Sequence, residues 1–203
     1  MGFRNWLKPR AQDLMMRGMN NLRPETVSLA HGEVLEVGFG TALNLRHYGS
    51  GVETVTGLDP LVTDGMQAVD DRIAAAPFPV KRSQLRADGD LPFDAGRFDT
   101  VVTTWTLCSI PDAGAALQEM RRVLKPGGKY VFIEHGLGQD EDTARWQNRL
   151  NPLWFKLTGE CNINRRIDQI VEAEGFELSS MDRFLGKGPK IFSSLYRGVA
   201  TKA

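Results

Sequence analysis

The stretch Glu33–Asn44, "EVLEVGFGTALN", decides the fold of this chain. Val34, Leu35 and Val37 form a continuous apolar run, as expected of a strand buried on both faces. Gly38 and Gly40 then break the run into a tight turn. A second run follows at 51–60, "GVETVTGLDP", closed by the lone carboxylate of Asp59 and by Pro60. Strand, glycine turn and carboxylate-ended strand together outline a nucleotide-binding α/β unit.

Working outward, the same alternation continues. The spacing predicts a helix over 63–75, a strand near 78–85, and a β-branched strand over 97–107. Over 112–128, Ala116, Leu117, Met120, Val123 and Leu124 share one helical face, with Asp112 as cap and Lys125-Pro126-Gly127-Gly128 as stop. A strand at 129–136 follows at once. A further helix spans 162–174, opened by Asn164 and Arg165, whose plain reading is capping and whose sharper reading is contact with a substrate. The chain then ends in two strand-like runs, "FELSSMDRFL" and "IFSSLYRGVATKA", joined by the turn "GKGPK". This order specifies an α/β fold, a doubly wound, mostly parallel seven-stranded sheet with a C-terminal antiparallel hairpin. Ligands of such sheets lie beyond the carboxyl ends of the strands.

Composition bounds the function. At 203 residues the chain is expected to form one domain, 1–203, with 1–25 as a helical lid or surface helix. Its 25 basic and 25 acidic residues balance, which argues against a nucleic-acid partner. No apolar run reaches the roughly 18 residues of a membrane span. The N-terminus carries Trp6, Leu7, Leu14, Met15 and Met19 among basic residues, an amphipathic pattern expected to pack on its own domain; it leaves a peripheral membrane contact open. Cys108 and Cys161, without a CxxC or a histidine-rich partner, predict no metal site and a reduced, cytoplasmic pair.

The glycine turn discriminates among ligands. A dinucleotide fold asks for G-x-G-x-x-G, and here Leu43 stands at the third glycine position. Glu36, two residues before Gly38, would repel a pyrophosphate and favour a cation. E-x-G-x-G therefore fits a ligand with an adenosine end and a positively charged amino-acid end.

"VLEVGFGTALNL", "GLDP", "ADGDLPF", "FDTVVTTWTLCSI" and "MRRVLKPGGKYVFIEHG" occur in the order and spacing of a known group. From about residue 15 onward the chain resembles the class I S-adenosylmethionine-dependent methyltransferases of the type 11 group, nearest the methyltransferase-like thiol methyltransferases of animals and their bacterial relatives. Ala42 departs from the commoner glycine of E-x-G-x-G-x-G. The resemblance implies S-adenosylmethionine as cofactor, held by Glu36, Gly38, Phe39, Gly40 and Asn44 in the turn. It implies Asp59 on the ribose hydroxyls beside Pro60, then Ala87, Asp88 and Gly89 on the adenine side. Thr104, Trp105 and Leu107 would lie near the methionine portion.

The place that carries N/D-P-P-Y/F in nucleic-acid and glutamine N-methyltransferases here reads Thr104-Trp105-Thr106-Leu107. "LCSI", "EHG" and "GECNINR" match the thiol branch. They imply His135 as the group that activates or steers the acceptor, with Cys108 and Cys161 at its pocket; Trp154, in the long segment 137–161 after the strand at 129–136, is expected among the aromatic residues that wall it. The acceptor is then expected to be a small molecule, with a thiol favoured, since a thiol of pKa about 8.5 supplies some thiolate near neutrality. A lipid or quinone headgroup at a membrane surface, and a non-catalytic cofactor-binding protein, are the alternatives.

Overall fold

A computed structural model describes residues 3–61, 63–87, 89–158 and 161–202 of the chain. Seven strands among them form one sheet: β1 (Gly32–Val37), β2 (Val52–Leu58), β3 (Val80–Ser83), β4 (Phe98–Thr104), β5 (Leu124–His135), β6 (Phe176–Leu185) and β7 (Ser194–Lys202). Their order is β3-β2-β1-β4-β5-β7-β6. The first five are mutually parallel, and β7 runs antiparallel between β5 and β6. The order in which strands are added reverses between β1 and β4, with the strands themselves still parallel. That switch point opens the crevice in which ligands of such sheets bind.

The helices are α1 (Phe3–Arg17), α2 (Pro24–Val27), α3 (Gln67–Ala74), α4 (Ala113–Val123), α5 (Glu141–Thr158), α6 (Ile167–Ala173) and α7 (Lys190–Ser193). On one face of the sheet, Leu35, Val37, Phe98, Val101, Tyr130 and Phe132 pack under Ala116, Leu117, Met120 and Val123 of α4 and under Ile167 and Val171 of α6. On the other, Val34, Val55, Val102 and Val131 pack under Val27, Leu45 and Val69. Alternation along each strand divides these two sets, as the pleat demands. Asp112 caps α4 as expected, its Oδ1 accepting the Ala115 amide at 2.9 Å.

Several boundaries differ from the sequence reading. Residues 63–66 form a turn before α3. Helix α4 stops at Val123, and Lys125–Gly128 bulge out between the pairs Phe98↔Leu124 and Thr100↔Lys129. The β6–β7 connection contains α7, so residues 191–193 are helical and the last strand begins at Ser194. Helix α6 begins at Ile167, so Asn164 and Arg165 precede it and do not cap it. The Asn164 amide donates to Asn148 Oδ1 at 3.0 Å, and the Arg165 guanidinium donates to the carbonyls of Leu107 and Pro111. The segment between β5 and α6 contains the 18-residue α5.

The N-terminal segment packs on its own domain through only part of the expected face, Met19 inward but Leu14 and Met15 outward. Met16 and Met19 pack with Leu22 against Trp105, Ile133 and Leu195, while Leu14 and Met15 are exposed. The side chains of Trp6 and Leu7 lie outside the described residues. A buried ion pair fixes the helix over the glycine turn. Asp13 Oδ1 accepts the Thr41 hydroxyl at 2.7 Å and Arg72 Nη1 at 2.6 Å, so α1, the turn and α3 share one carboxylate.

Burial raises the Asp13 pKa, but the Arg72 and Thr41 hydrogen bonds outweigh it and hold the carboxyl below its ordinary 3.8. A depressed carboxyl stabilises the fold fully above its unfolded value and loses that contribution as pH falls through the folded one. Acidification below the carboxylate range should therefore free α1 before the sheet melts. Hydrogen exchange over residues 10–19 should rise there first, and Asp13→Asn should show the same loosening at neutral pH; equal protection of α1 in both proteins would refute this.

Candidate functional site

The first glycine turn is shaped by close approach. Gly38 has φ +81°, and a Cβ there would fall 1.8 Å from Thr106 Oγ1, in the segment that follows β4. Only a bare backbone lets these two turns touch. The amides of Gly38 and Phe39 donate to the Leu58 carbonyl at 2.8 and 3.0 Å, which ties the turn to the end of β2. Ala42 stands at the departure from the glycine pattern, with φ +63°. This left-handed conformation costs a non-glycine residue about 1–2 kcal/mol, and burial of its methyl group returns about 0.8 kcal/mol.

Asp59 lies just past β2 and faces this turn. Its Oδ2 accepts the Gly40 amide at 2.8 Å and its Oδ1 the Leu61 amide at 2.7 Å. A carboxylate accepts hydroxyl as well as amide donors, the chemistry that the two hydroxyls of a ribose require. Asp59, Phe39 and Gly40 line an open cleft with Gly57, Leu61, Thr63, Asp64, Arg82, Ser83 and Gln84. The cleft lies beyond the carboxyl ends of β1, β2 and β3. Sequence reasoning missed the part of its wall that β3 supplies. Arg82 was findable as the basic residue at the end of a third strand; its guanidinium donates to Thr63 Oγ1 at 2.9 Å and to Asp64 Oδ1 at 3.2 Å.

The adenine-side candidates are less gathered. Pro60 and Gly89 are exposed, and Ala87 is buried in the main core. Asp88 lies outside the described residues.

Glu36 does not face the cleft. It is 1% exposed, its Oε1 accepting Asn44 Nδ2 at 2.9 Å and its Oε2 the Tyr48 hydroxyl at 2.7 Å. A cation does stand close by, but the protein itself supplies it. Arg23, 4% exposed, donates through Nη1 to Asn44 Oδ1 at 2.5 Å and to Thr104 Oγ1 at 3.1 Å. Its guanidinium carbon lies 4.9 Å from the centroid of the Trp105 ring. Sequence reading gave no sign of Arg23, which lies between α1 and α2 in a stretch of ordinary polar residues.

Arg23 Nε and Trp105 Nε1 are buried and find no hydrogen-bond partner in the protein. Two such donors, beside Asn44 and Thr104, fit the carboxylate of an amino-acid ligand. Leu107, by contrast, is fully buried under α4 and turns its side chain into the core.

The acceptor-side candidates do come together. Glu134 and His135 end β5 and point apart, as neighbours in a strand must. Glu134 is fully buried and accepts the Thr106 amide at 3.1 Å and the Cys108 amide at 3.2 Å. Burial pushes its carboxyl above the usual range, although hydrogen bonds from Thr103 and from these amides pull it back. His135 is half-buried, with Nδ1 3.7 Å from Cys161 Sγ, which lies 3.6 Å from Cys108 Sγ. The contact between the sulfurs holds Cys161 below the usual thiol value and Cys108 well above it. Trp154 is half-buried and stacks on Phe192, with centroids 4.2 Å apart.

Burial raises the Glu36 carboxyl from 4.5 to about 7, against the pull of Tyr48, Arg23 and Asn44. Its raised pKa keeps a proton on the folded chain that the unfolded chain releases. Stability should therefore fall, by about 3 kcal/mol, as pH rises between those two values, then level off. Urea unfolding of Glu36→Gln, followed from pH 4.5 to pH 7, should lack this slope. A variant that keeps the wild-type slope would assign it to another group.

A family model described as a methyltransferase domain matches residues 35–132, which include the glycine turn, Asp59 and β4. The thiol S-methyltransferase TMT1A of Homo sapiens is 32% identical over 145 residues, 70% of this chain and 59% of that protein. The thiol S-methyltransferase TMT1B of Rattus norvegicus is 30% identical over 174 residues, 78% of this chain and 68% of that protein. The chain thus spans about six tenths to two thirds of the length of these relatives. Among solved structures, an S-adenosylmethionine-dependent methyltransferase from Thermotoga maritima, described as a possible histamine N-methyltransferase, superposes with a TM-score of 0.66 at 15% identity, covering 98% of both chains. That match carries the fold alone, and the sequence matches carry the lineage: the chain belongs to the class I S-adenosylmethionine-dependent methyltransferases.

Proposed function

We propose that this chain methylates the thiol of a small molecule, with S-adenosylmethionine as donor. The observation that carries the thiol reading is the inward turn of Glu134. The carboxylate of the "EH" pair is occupied by backbone amides, which leaves the imidazole of His135 on the acceptor side. An imidazole is a weak base, and a thiol of pKa about 8.5 needs no stronger one. The likeness to proteins named as thiol S-methyltransferases supports the same reading.

When bound, the cofactor supplies a methyl group on a positively charged sulfur, open to attack by a nucleophile. Asp59 and the Gly38–Gly40 turn would hold its ribose. Arg23 and Trp105 would take its carboxylate, with Asn44 and Thr104 fixing the guanidinium. His135 Nε2, the ring nitrogen turned from Cys161, accepts the thiol proton of the acceptor. Trp154 would wall the acceptor from water, and α1 would close the glycine turn as a lid. The proposed setting is the cytoplasm, and zero net charge leaves nucleic acid out of the scheme.

A lipid-surface acceptor is the second reading, favoured by α5. Trp146, Leu153 and Leu157 are exposed along one face of that helix, beside Arg145, Arg149 and Lys156. This is the pattern of a helix that lies in a membrane interface.

Asp59→Ala should weaken S-adenosylmethionine binding roughly 10- to 100-fold in calorimetry, as expected for lost hydrogen bonds to a charged acceptor. Wild-type protein should turn over members of a thiol panel and leave matched alcohols and amines untouched. Methylation of amines with thiols inert would sink the acceptor assignment. Co-sedimentation with anionic vesicles, abolished by Leu157→Glu, would select the lipid-surface reading; no association would remove it.

A further inference from the structure

We infer that Cys108, His135 and Cys161 form a three-ligand site for a thiophilic divalent cation of the zinc class, whose fourth position is open to a thiol. The residues come from three separate places: the turn after β4, the end of β5, and the loop before α6. Their donor atoms nonetheless all lie within 4.8 Å of one another.

Two of the three donor–donor edges fit one metal, and the third lies within 4.8 Å. Tetrahedral zinc with sulfur ligands at about 2.3 Å and nitrogen ligands at about 2.05 Å sets S···S edges near 3.75 Å and S···N edges near 3.55 Å. The chain places Cys161 Sγ 3.6 Å from Cys108 Sγ and 3.7 Å from His135 Nδ1. A disulfide would need the sulfurs at about 2.05 Å, and both cysteines are free.

The backbone that carries the sulfurs is fixed without them. Glu134 Oε2 accepts the Cys108 amide at 3.2 Å. The Cys108 carbonyl accepts the Asn162 amide at 2.9 Å and Asn162 Nδ2 at 3.1 Å. Asn151 then donates to Asn162 Oδ1 at 3.0 Å and accepts the Ile163 amide at 2.9 Å. Partners of this kind orient ligands before the metal arrives.

Burial gives the site a closed side and an open one. Cys108 is 1% exposed, whereas His135 and Cys161 are half-buried. Three protein ligands with one free position is the arrangement of catalytic rather than structural zinc. Two thiolates also neutralise a divalent charge, which suits a site at the edge of the core. A thiol that fills the fourth position binds as thiolate and gives up its proton to solvent, because a metal on His135 Nδ1 leaves the ring proton on Nε2; the bound metal then replaces His135 as the group that activates the thiol. That last statement rests on the thiol reading above; the metal site does not.

Zinc alone, titrated into chelator-treated full-length protein, should bind at one equivalent. Cys161→Ser and His135→Gln should each weaken it by more than about 100-fold, with unchanged circular dichroism. Cobalt in place of zinc should give the thiolate-to-metal charge-transfer band and the intense visible bands of a tetrahedral ion. Added 2-mercaptoethanol should strengthen the charge-transfer band as a third sulfur joins. Absence of stoichiometric zinc binding, or full affinity in folded Cys161→Ser, overturns the site. A cobalt spectrum indifferent to 2-mercaptoethanol overturns the thiol position alone. Because the zinc titration needs neither S-adenosylmethionine nor an acceptor, its failure is separate from failure of the methyl-transfer reading.

Discussion

The buried carboxylate of Glu134 is the interaction on which the geometry beyond β4 and β5 depends. It draws in the amides of Thr106, Leu107 and Cys108, three successive residues that leave the sheet after β4. Each of those amides, left unpaired in the interior, would cost about 1–3 kcal/mol. The turn is therefore held in one shape, and two consequences follow. Thr106 is pressed against Gly38, so the glycine turn and the β4 turn fit together as a single surface. Cys108 is brought to face Cys161, with its carbonyl aimed at Asn162.

A second buried carboxylate works from the opposite face of the sheet. Glu36 shares the face of Val34 and Val102, whereas Glu134 shares that of Tyr130 and Phe132. Through Asn44 and Arg23, the Glu36 network reaches Thr104 Oγ1, the last side chain of β4. The carboxyl end of β4 is thus gripped from above and below, between β1 on one side and β5 on the other. Rigid support of this kind is what a site needs if a donor and an acceptor are to be aligned within a fraction of an ångström.

How much of this could be read from sequence follows from where burial and polarity agree. Parallel strands covered on both faces must be apolar throughout, so "EVLEV" and "FDTVVTT" declared themselves. Asp59 stood out as the lone carboxylate closing such a run, and the structure places it against the glycine turn through the Gly40 amide. Helix α5 was not legible, since its buried positions include the polar Thr143 and Gln147 while Leu153 and Leu157 face outward. Gln147 turns inward to receive the Gly138 amide and to donate to the Gly136 and Ile191 carbonyls, a purpose no periodicity reveals. Glu36 misled in a more specific way. The inference that it answers a positive charge was physically sound, but the charge is Arg23, which packing brings in from the segment between α1 and α2. The metal-ligand cluster escaped for a related reason: Cys108 and Cys161 are 53 residues apart and meet only because α5 carries the chain out and back.

Backbone strain singles out the same two turns. Among the described residues, Ala42 and Trp105 alone take positive φ without being glycine, at +63° and +52°. Strained conformations persist only where the surroundings over-determine them. Ala42 follows the first glycine turn, and Trp105 begins the turn that Glu134 clamps. At Trp105 the strain holds a large ring against Ile133, Leu195 and the Arg23 guanidinium, with its indole nitrogen buried and unpaired. A residue that maximised stability alone would relieve the backbone or satisfy that nitrogen. Keeping both costs, at the point where the two turns meet, fits a ligand that supplies the missing acceptor. The strain and the orphaned donor thus support, independently of the glycine motif, the proposal that the amino-acid end of the cofactor binds here.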